Sequence, residues 1–388
     1  ILPHAHDAPR PARRGAAATP TAVVDSSPRR RSPGVCQTEP MAQIRIALAQ
    51  VNPTVGDLLG NRALVVETTA KAAAAGATLV AFPEMVLTGY PVEDLALRPS
   101  FQRACQQSLQ TLAEDLDAAG LAALTVVVGH LAPAPADAPD RRGYNAAAVL
   151  HGGQIVADYA KHHLPNYGVF DEQRYFRPGD RPCRIRVGEV DVAIAICEDI
   201  WVSAGPLSQL AEQPPGLLMV INGSPYERNK DDARLDLCAR RAREAGCALA
   251  YVNMWGGQDD LVFDGDSMVV DPQGGLLARS PQFIDDLLVV DVAAPAGEGP
   301  VDVILPAVPA GAPMTSSIAS PLSDAREVYL ALVTGLRDYV RKNGFRSVVL
   351  GMSGGIDSAL VAAIACDAVG AQNVHGVRMP SEYSSAHS

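Results

Sequence analysis

The chain has 388 residues, which is enough for two domains with substantial cores. A hydrophobic content of 48% with few aromatic residues is typical of an α/β protein, and no apolar run is long enough to cross a membrane. A net charge of −11 argues against a nucleic-acid partner. Seven scattered cysteines show neither zinc-site spacing nor a dense disulfide pattern, which predicts a reducing, cytoplasmic setting.

The first forty residues differ in composition from the rest of the chain. Residues 1–40 are rich in proline, alanine and arginine, show no apolar periodicity and lack the apolar core of a secretory signal. The many prolines oppose helix formation. We expect a disordered or non-native N-terminal extension, with Met41 close to the true start of the protein.

Between residues 41 and 292, strand patterns alternate with helical ones. Helices are predicted at 61–75, 101–119 and 228–245. Strands are predicted at 44–50, 78–82, 125–129, 190–197 and 217–221, with paired strands through 144–159 around a Gly-Gly turn. This alternation predicts a layered α/β architecture.

Three residues with reactive side chains come where apolar strands end. Glu84, Lys161 and Cys197 follow strand patterns that finish near residues 82, 160 and 196. Glu84 can take the proton of a thiol and Lys161 can stabilise a developing oxyanion, which is the arrangement that activates a cysteine nucleophile. Taken singly, each residue also has a structural explanation as core packing or as part of a turn.

The neighbours of these three residues favour the functional interpretation. The sequence reads Phe-Pro-Glu-Met around Glu84, Tyr-Ala-Lys-His-His-Leu-Pro around Lys161 and Ile-Cys-Glu-Asp-Ile-Trp around Cys197. In this order and spacing the three stretches resemble the Glu-Lys-Cys triad of the nitrilase superfamily. The resemblance implies an α-β-β-α sandwich that hydrolyses or transfers C–N bonds through a thioester. It also implies supporting roles for Glu172 and Glu198.

A second domain is predicted after a segment rich in proline, alanine and glycine. That segment, residues 293–321, is predicted to be a linker between a first domain at 41–292 and a second one. An amphipathic helix at 322–343 leads into a strand, a glycine loop, another helix and a further strand at 373–381. This order is the opening of a doubly wound parallel sheet, so 322–388 is expected to be the N-terminal part of such a domain.

The glycine loop is typical of a pyrophosphate-binding site. Its glycines allow close backbone approach to an anion at the N-terminus of a helix. No Gly-Lys-Ser/Thr follows them, so this is not the common nucleotide loop. It resembles the loop of N-type ATP pyrophosphatases, which implies bound ATP with Mg²⁺ on Asp357. The predicted ATP-binding residues are Gly351, Met352, Ser353, Gly354, Gly355, Ile356, Asp357 and Ser358.

A nitrilase-like domain followed by this loop resembles the family of glutamine-dependent NAD⁺ synthetases. The resemblance implies that Tyr167, Ser224 and Lys230 bind glutamine and that its ammonia amidates deamido-NAD with ATP and Mg²⁺. It implies no tightly bound prosthetic group, and a homo-oligomer. The synthetase domain of that family continues far beyond residue 388, so we expect a C-terminally truncated chain that hydrolyses glutamine weakly and makes no NAD⁺.

Two other interpretations stay open at this point. One is a stand-alone nitrilase-type amidase with a vestigial C-terminal nucleotide-binding segment, which would prefer simple amides and ignore ATP. The other is a non-catalytic nucleotide-binding or assembly module. The presence of Glu84, Lys161 and Cys197 together argues against the second.

Overall fold

The computed structural model describes residues 41–203, 205, 208, 210–308, 312–314 and 316–379. The extension predicted at 1–40 lies outside the described residues, as do the last two positions of the strand predicted at 373–381.

The described residues form helices and strands that alternate along much of the chain. The helices are α1 (Leu58–Ala74), α2 (Pro99–Ala118), α3 (Glu172–Tyr175), α4 (Lys230–Ala245), α5 (Asp324–Lys342) and α6 (Ile356–Val369), with short 3-10 helices at Glu93–Leu97, Cys197–Ile200 and Ala371–Asn373. The strands are β1 (Met41–Gln50), β2 (Leu79–Ala81), β3 (Thr125–Ala132), β4 (Tyr144–His151), β5 (Gln154–Ala160), β6 (Cys183–Val187), β7 (Val190–Ile196), β8 (Leu217–Asn222), β9 (Ala248–Asn253), β10 (Trp255–Gln258), β11 (Leu261–Asp264), β12 (Met268–Val270), β13 (Leu276–Arg279), β14 (Asp286–Pro295), β15 (Val303–Leu305), β16 (Val348–Gly351) and β17 (Val374–Val377).

Two large sheets are present among the described residues. One has the strand order β14-β1-β2-β3-β4-β5 and the other the order β13-β12-β9-β8-β7-β6-β15. Neighbours β1, β2 and β3 run parallel in the first sheet, and β7, β8 and β9 run parallel in the second. The carboxyl ends of β2 and β7, where two of the predicted site residues follow, are therefore ends of parallel strands.

The two sheets pack face to face with helices on their outer sides. Along β1, Ile44, Ile46 and Leu48 enter a core that also contains apolar residues of β7 and β8. The alternate residues Ala47 and Ala49 face a second core formed with α1 and α2. Helix α4 covers the outer side of the second sheet through a third core. Because both faces of the central strands, such as β2, β7, β8 and β9, are buried, these strands read as continuous apolar runs. The predicted α-β-β-α sandwich is confirmed.

The segment predicted to be a linker contains regular structure. Strand β14 runs on to Pro295, past the predicted boundary, and pairs with β1 along its whole length. Strand β15 pairs in parallel with β6, matching Val303 with Ile185 and Leu305 with Val187. A three-residue strand among prolines and glycines is too short to produce a periodic signal, so only its tertiary pairing reveals it.

Helix α5 packs against the hairpin of β10 and β11. The buried Asp338 carboxylate accepts hydrogen bonds from Asn52 Nδ2 and from the backbone N–H of Gly257, both at 2.7 Å. The Arg337 guanidinium lies over the Trp255 ring, 4.8 Å from its centroid. A helix predicted to belong to the second domain is therefore anchored on the first.

The last described elements form the beginning of a parallel α/β unit, as predicted. β16 and β17 pair in parallel, Val348 opposite Val374, and α6 connects them. The helix begins at Ile356, directly after the glycine loop, and Gly354 has a φ of +79° that favours glycine. No helix within the described residues is long and apolar enough to cross a membrane.

Candidate active site

Glu84, Lys161 and Cys197 meet between the two sheets. Glu84 lies three residues beyond β2, Lys161 directly follows β5, and Cys197 directly follows β7. Their exposed fractions are 1%, 1% and 5%. Residues from both sheets thus come together in one buried polar site, where charges interact more strongly than in water.

The Lys161 ammonium joins two buried carboxylates. Its Nζ lies 2.7 Å from Glu84 Oε1 and 2.9 Å from Glu172 Oε1. The Tyr90 hydroxyl donates a hydrogen bond of 2.9 Å to the same oxygen of Glu172. Burial lowers the pKa of Lys161, but the charges of Glu172 and Glu84 outweigh it, and the net pKa lies well above the ordinary value. Lys161 is therefore a permanent cation in this site.

Glu172 is the second carboxylate that Lys161 contacts. Burial raises the pKa of Glu172 to about 7, while Lys161 opposes the shift and Glu84 adds to it. One cation between two carboxylates leaves an excess negative charge, and a raised pKa on one of them relieves it. The structure thus places Glu172, predicted to have a supporting role, in direct contact with the lysine.

Cys197 sits in a strained turn at the entrance to a 3-10 helix. Its φ of +43° lies in the left-handed region that non-glycine residues rarely adopt. Burial raises the pKa of its thiol well above the ordinary value; Glu84 adds to this, and Lys161 acts in the opposite direction. A thiol held in this state needs a base to become a nucleophile, and the Glu84 carboxylate in the same cluster is a group that could accept its proton.

Glu84 is held by two contacts that the sequence did not reveal. Asn145 Nδ2, on β4, donates to Glu84 Oε1 at 2.6 Å, and the backbone N–H of Gly223 donates to Oε2 at 2.7 Å. An asparagine inside an apolar strand was the available signal for the first contact, because a buried amide requires a partner. No local pattern marks the backbone donor.

The residues predicted to bind glutamine lie on three different elements. Tyr167 is exposed, and its hydroxyl lies 2.9 Å and 3.1 Å from the two carboxylate oxygens of Glu198. Ser224 is buried, one residue after the Gly223 N–H that binds Glu84. Lys230 begins α4, and its Nζ pairs with Glu227 Oε1 at 2.6 Å. The Ser224 loop thus contacts Glu84 through the Gly223 N–H, and Tyr167 contacts Glu198, the residue next to Cys197.

The Ser224 loop is clamped from behind by a buried ion pair. Arg234 binds Asp264 through contacts of 2.6 Å and 2.8 Å and donates from its other nitrogen to the carbonyls of Ser224 and Pro225. The Ser224 N–H donates to Asn253 Oδ1 at 2.9 Å. Such a loop is preorganised, which reduces the entropic cost of binding a ligand.

The residues predicted to bind ATP form an open turn rather than a buried site. The Ser353 and Ser358 hydroxyls lie 3.2 Å apart, and Ser358 Oγ donates to the Gly355 carbonyl at 3.0 Å. Asp357 is exposed on the first turn of α6. Among the described residues, no group of three or more His, Cys, Asp or Glu side chains is arranged to hold a metal ion.

The sandwich fold and the match to a family model together define the class of this protein. The family model for carbon-nitrogen hydrolase matches residues 45–298, well over half of the chain, and the protein belongs to that family. A second family model, for NAD synthase, matches residues 328–388.

Among known proteins, the chain is similar to glutamine-dependent NAD⁺ synthetases. It is 41% identical to that of Thermotoga maritima over 368 residues, which cover 90% of this chain and 62% of the relative. It is 43% identical to that of Rhodobacter capsulatus over 346 residues, which cover 88% of this chain and 58% of the relative. The chain thus spans about three fifths of the length of these relatives.

Among solved structures, the chain is similar to an NAD⁺ synthetase and to an amidase. The glutamine-dependent NAD⁺ synthetase of Acinetobacter baumannii in complex with ADP superimposes with a TM-score of 0.75 at 35% identity, covering 89% of this chain and 61% of that one. An amidase from Nesterenkonia superimposes with a TM-score of 0.55 at 25% identity, covering 65% of this chain and 90% of that one. The active-site cysteine of that amidase carries a covalently added acetamide group.

Proposed function

We propose that this protein releases ammonia from glutamine at Glu84, Lys161 and Cys197 and uses it for the ATP-dependent amidation of deamido-NAD to NAD⁺. The observation that carries the proposal is the pairing, in one chain, of a buried Glu–Lys–Cys cluster with a glycine loop at a helix N-terminus. The similarity to glutamine-dependent NAD⁺ synthetases supports the proposal. Because these relatives are longer than this chain, the complete reaction is inferred from them.

In the first half-reaction Cys197 is the nucleophile. Its Sγ attacks the side-chain amide carbon of glutamine while Glu84 accepts the thiol proton, and the negative oxygen of the tetrahedral intermediate is stabilised by the Lys161 ammonium. The proton then passes from Glu84 to the leaving nitrogen. The tetrahedral intermediate collapses, which releases ammonia and leaves a thioester on Cys197. Water activated by Glu84 attacks the thioester and releases glutamate and the free thiol.

Charge complementarity supports a binding mode for the rest of the glutamine. Lys230 is largely buried and already pairs with the exposed Glu227, so a substrate carboxylate can replace that partner. Glu198 is largely buried beside Cys197, and its oxygens accept a hydrogen bond from Tyr167, so the substrate ammonium can join that pair. Ser224 completes the proposed pocket from the clamped loop.

The second half of the proposal concerns residues 351–358. Their backbone N–H groups and hydroxyls would hold the phosphates of ATP at the N-terminus of α6. The exposed Asp357 carboxylate, with the hydroxyls of Ser353 and Ser358 near it, offers the oxygen ligands that Mg²⁺ prefers. The ion would neutralise charge on the phosphates. The proposed domains are the hydrolase at 41–292 and the beginning of the synthetase at 322–388.

Setting and assembly are also parts of the proposal. All six cysteines within the described residues are free thiols, which supports a reducing, cytoplasmic location. A homo-oligomer is proposed from the family resemblance, and light scattering of the purified chain measures it.

The test of the first half is glutamine hydrolysis by the purified chain and by Cys197→Ala. The wild type is expected to release ammonia and glutamate, and the variant is expected to be inactive because no thioester can form. Retained hydrolysis in Cys197→Ala would refute the assignment. For the second half, ATP binding is measured by titration with and without Mg²⁺, and Asp357→Ala is expected to lose the Mg²⁺-dependent part.

A second candidate function is hydrolysis of simple amides, favoured by the similarity to the Nesterenkonia amidase. Acetamide and glutamine are compared as substrates at equal concentration. A preference for acetamide, with no effect of Lys230→Ala on either rate, would favour the amidase over the glutaminase.

A further inference from the structure

One buried carboxylate next to the candidate nucleophile binds groups from both sheets. Asp199 is fully buried. Its Oδ2 accepts hydrogen bonds from the Tyr159 hydroxyl at 2.7 Å and from the Ile196 N–H at 3.0 Å. Its Oδ1 accepts from the N–H groups of His162 and His163 at 3.1 Å and 2.8 Å. Four donors thus satisfy the two oxygens of a single side chain.

The positions of these donors follow a pattern. Tyr159 lies two residues before Lys161, and the two histidine N–H groups come directly after it. Ile196 directly precedes Cys197. The first three donors therefore lie at the end of β5 or just beyond it, and the fourth lies at the end of β7 in the other sheet. The Lys-His-His sequence, whose histidines have no place in the triad, contributes its backbone to this contact.

The turn that Asp199 closes is one that requires support. A non-glycine residue in the left-handed region is strained and persists only when its surroundings hold it. Cys197 has a φ of +43°. The bond from the Ile196 N–H to Asp199 spans that residue, so the carboxylate holds both sides of the strained position.

We propose that Asp199 is a positioning residue that fixes the Cys197 turn relative to Lys161. The inference rests on the proposed function only in that Cys197 and Lys161 act together. A carboxylate suits this position because it accepts from four neutral donors at once. Asparagine has a single acceptor oxygen, and its amide N–H groups would face donors on the other side.

The experiment compares Asp199→Asn with Tyr159→Phe and with a matched control, Asp191→Asn. Asp191 is an equally buried aspartate near the opposite end of β7, and its contact is with Arg186 Nε at 2.6 Å. Two quantities are measured on each protein: kcat and KM for glutamine, and the rate of Cys197 alkylation by iodoacetamide between about pH 6 and pH 10, followed by mass spectrometry of the Cys197 peptide.

Asp199→Asn is expected to lower kcat by about 100-fold with little change in KM, because a misplacement of about 1 Å between reacting groups has an effect of that size. At each pH in this range Cys197 of the variant should be alkylated more slowly than Cys197 of the wild type, since the ammonium of Lys161 is no longer held beside the thiol. Tyr159→Phe removes one donor of four and should lower kcat by about fivefold. Asp191→Asn should change stability and leave both readouts as in the wild type.

Unchanged kcat and an unchanged alkylation profile in folded Asp199→Asn would overturn the proposal, as would an equal loss in Asp191→Asn. If Asp199→Asn does not fold, Tyr159→Phe decides, and wild-type kcat in that variant overturns the proposal. Alkylation does not depend on glutamine being the substrate. If the wild type ignores glutamine but Cys197 is alkylated more slowly in Asp199→Asn than in the wild type, the proposed function is refuted and the positioning role is supported.

Discussion

Replacing Asp338 by alanine should loosen α5 from the hydrolase. Asp338 Oδ2 accepts from Asn52 Nδ2 and from the Gly257 N–H, both at 2.7 Å, and Oδ1 accepts from Arg337 Nε at 2.8 Å. The carboxylate is 4% exposed, so water does not replace it freely. The substitution leaves two inward-facing donors on the hydrolase without an acceptor.

The size of the effect follows from those two donors. A buried donor left without a partner costs about 1 to 3 kcal/mol, which gives about 2 to 6 kcal/mol for Asn52 and Gly257 together. The contact with Arg337 adds little, because that side chain is partly exposed and water can take the place of the carboxylate. We therefore expect Asp338→Ala to weaken the docking of α5 on the hydrolase by about 4 kcal/mol.

Trp255 reports on this interface directly. The chain contains two tryptophans, and Trp255 lies under the Arg337 guanidinium while its Nε1 donates to Asp285 at 2.8 Å. In a Trp201→Phe background the fluorescence of Trp255 is followed against urea. The emission of Asp338→Ala should shift to the red at lower urea than the loss of the far-ultraviolet circular dichroism signal, because α5 detaches before the sheets unfold.

A control uses a carboxylate of α6 that contacts α5. Asp367 is exposed and accepts from the Tyr329 hydroxyl at 2.6 Å, so Asp367→Ala should cost less than about 1 kcal/mol. If Asp338→Ala and Asp367→Ala shift the Trp255 transition equally, or if Asp338→Ala shifts it by less than about 0.5 kcal/mol, the reasoning from unsatisfied donors is wrong.

Acid provides a second check on Asp338. Burial acts to raise the pKa of Asp338, but the hydrogen bonds from Arg337, Gly257 and Asn52 outweigh it, and the pKa lies below the ordinary 3.8. A depressed pKa contributes stability that is present above 3.8 and lost as pH falls through the folded value. The docking of α5 should therefore weaken in acid in the wild type and not in Asp338→Ala.

Three further predictions concern buried charges. The pKa of Glu172 is raised to about 7 from 4.5, so its stabilising effect is present below pH 4.5 and lost as pH rises through 7; Glu172→Gln should abolish that loss in thermal unfolding. The pKa of Lys342 is lowered to about 8 from 10.5 by burial, so wild-type stability should rise over that interval and that of Lys342→Met should not. Arg234→Met leaves the buried Asp264 carboxylate without its cation, and should lower the free energy of unfolding by about 3 to 5 kcal/mol. It should also raise KM for glutamine by loosening the Ser224 loop. The control is Arg174→Met, since Arg174 is exposed, and an equal effect in that variant would contradict the prediction.

Much of the fold could be predicted because its strands are buried on both faces. Continuous apolar runs predicted β1, β7 and β8 to within a few residues, and glycines marked the ends of α1 and α2. Strand β15 was missed, because three residues carry no periodicity and their pairing with β6 is a long-range contact. The docking of α5 on the hydrolase was also missed, since an amphipathic pattern does not say which surface it covers.

Part of the candidate site could likewise be predicted from the sequence, and part of it could not. Glu84, Lys161 and Cys197 could be selected from the sequence because each breaks an apolar run at a strand end, where a buried charge requires a partner. Asn145 and Asp199 could not be assigned, since their partners lie 61 and 36 to 40 residues away along the chain.

The sequence by itself therefore predicted the longer buried strands, the layered fold class and the candidate residues Glu84, Lys161 and Cys197, because hydrophobic periodicity and strand ends are local properties. The tertiary structure alone decided how Lys161 is shared between Glu84 and Glu172, how the Cys197 turn is held, and where α5 lies. Most of those features depend on contacts between residues far apart in the chain, such as Lys161 with Glu84 and Asp338 with Asn52, and no local pattern says which of these residues meet.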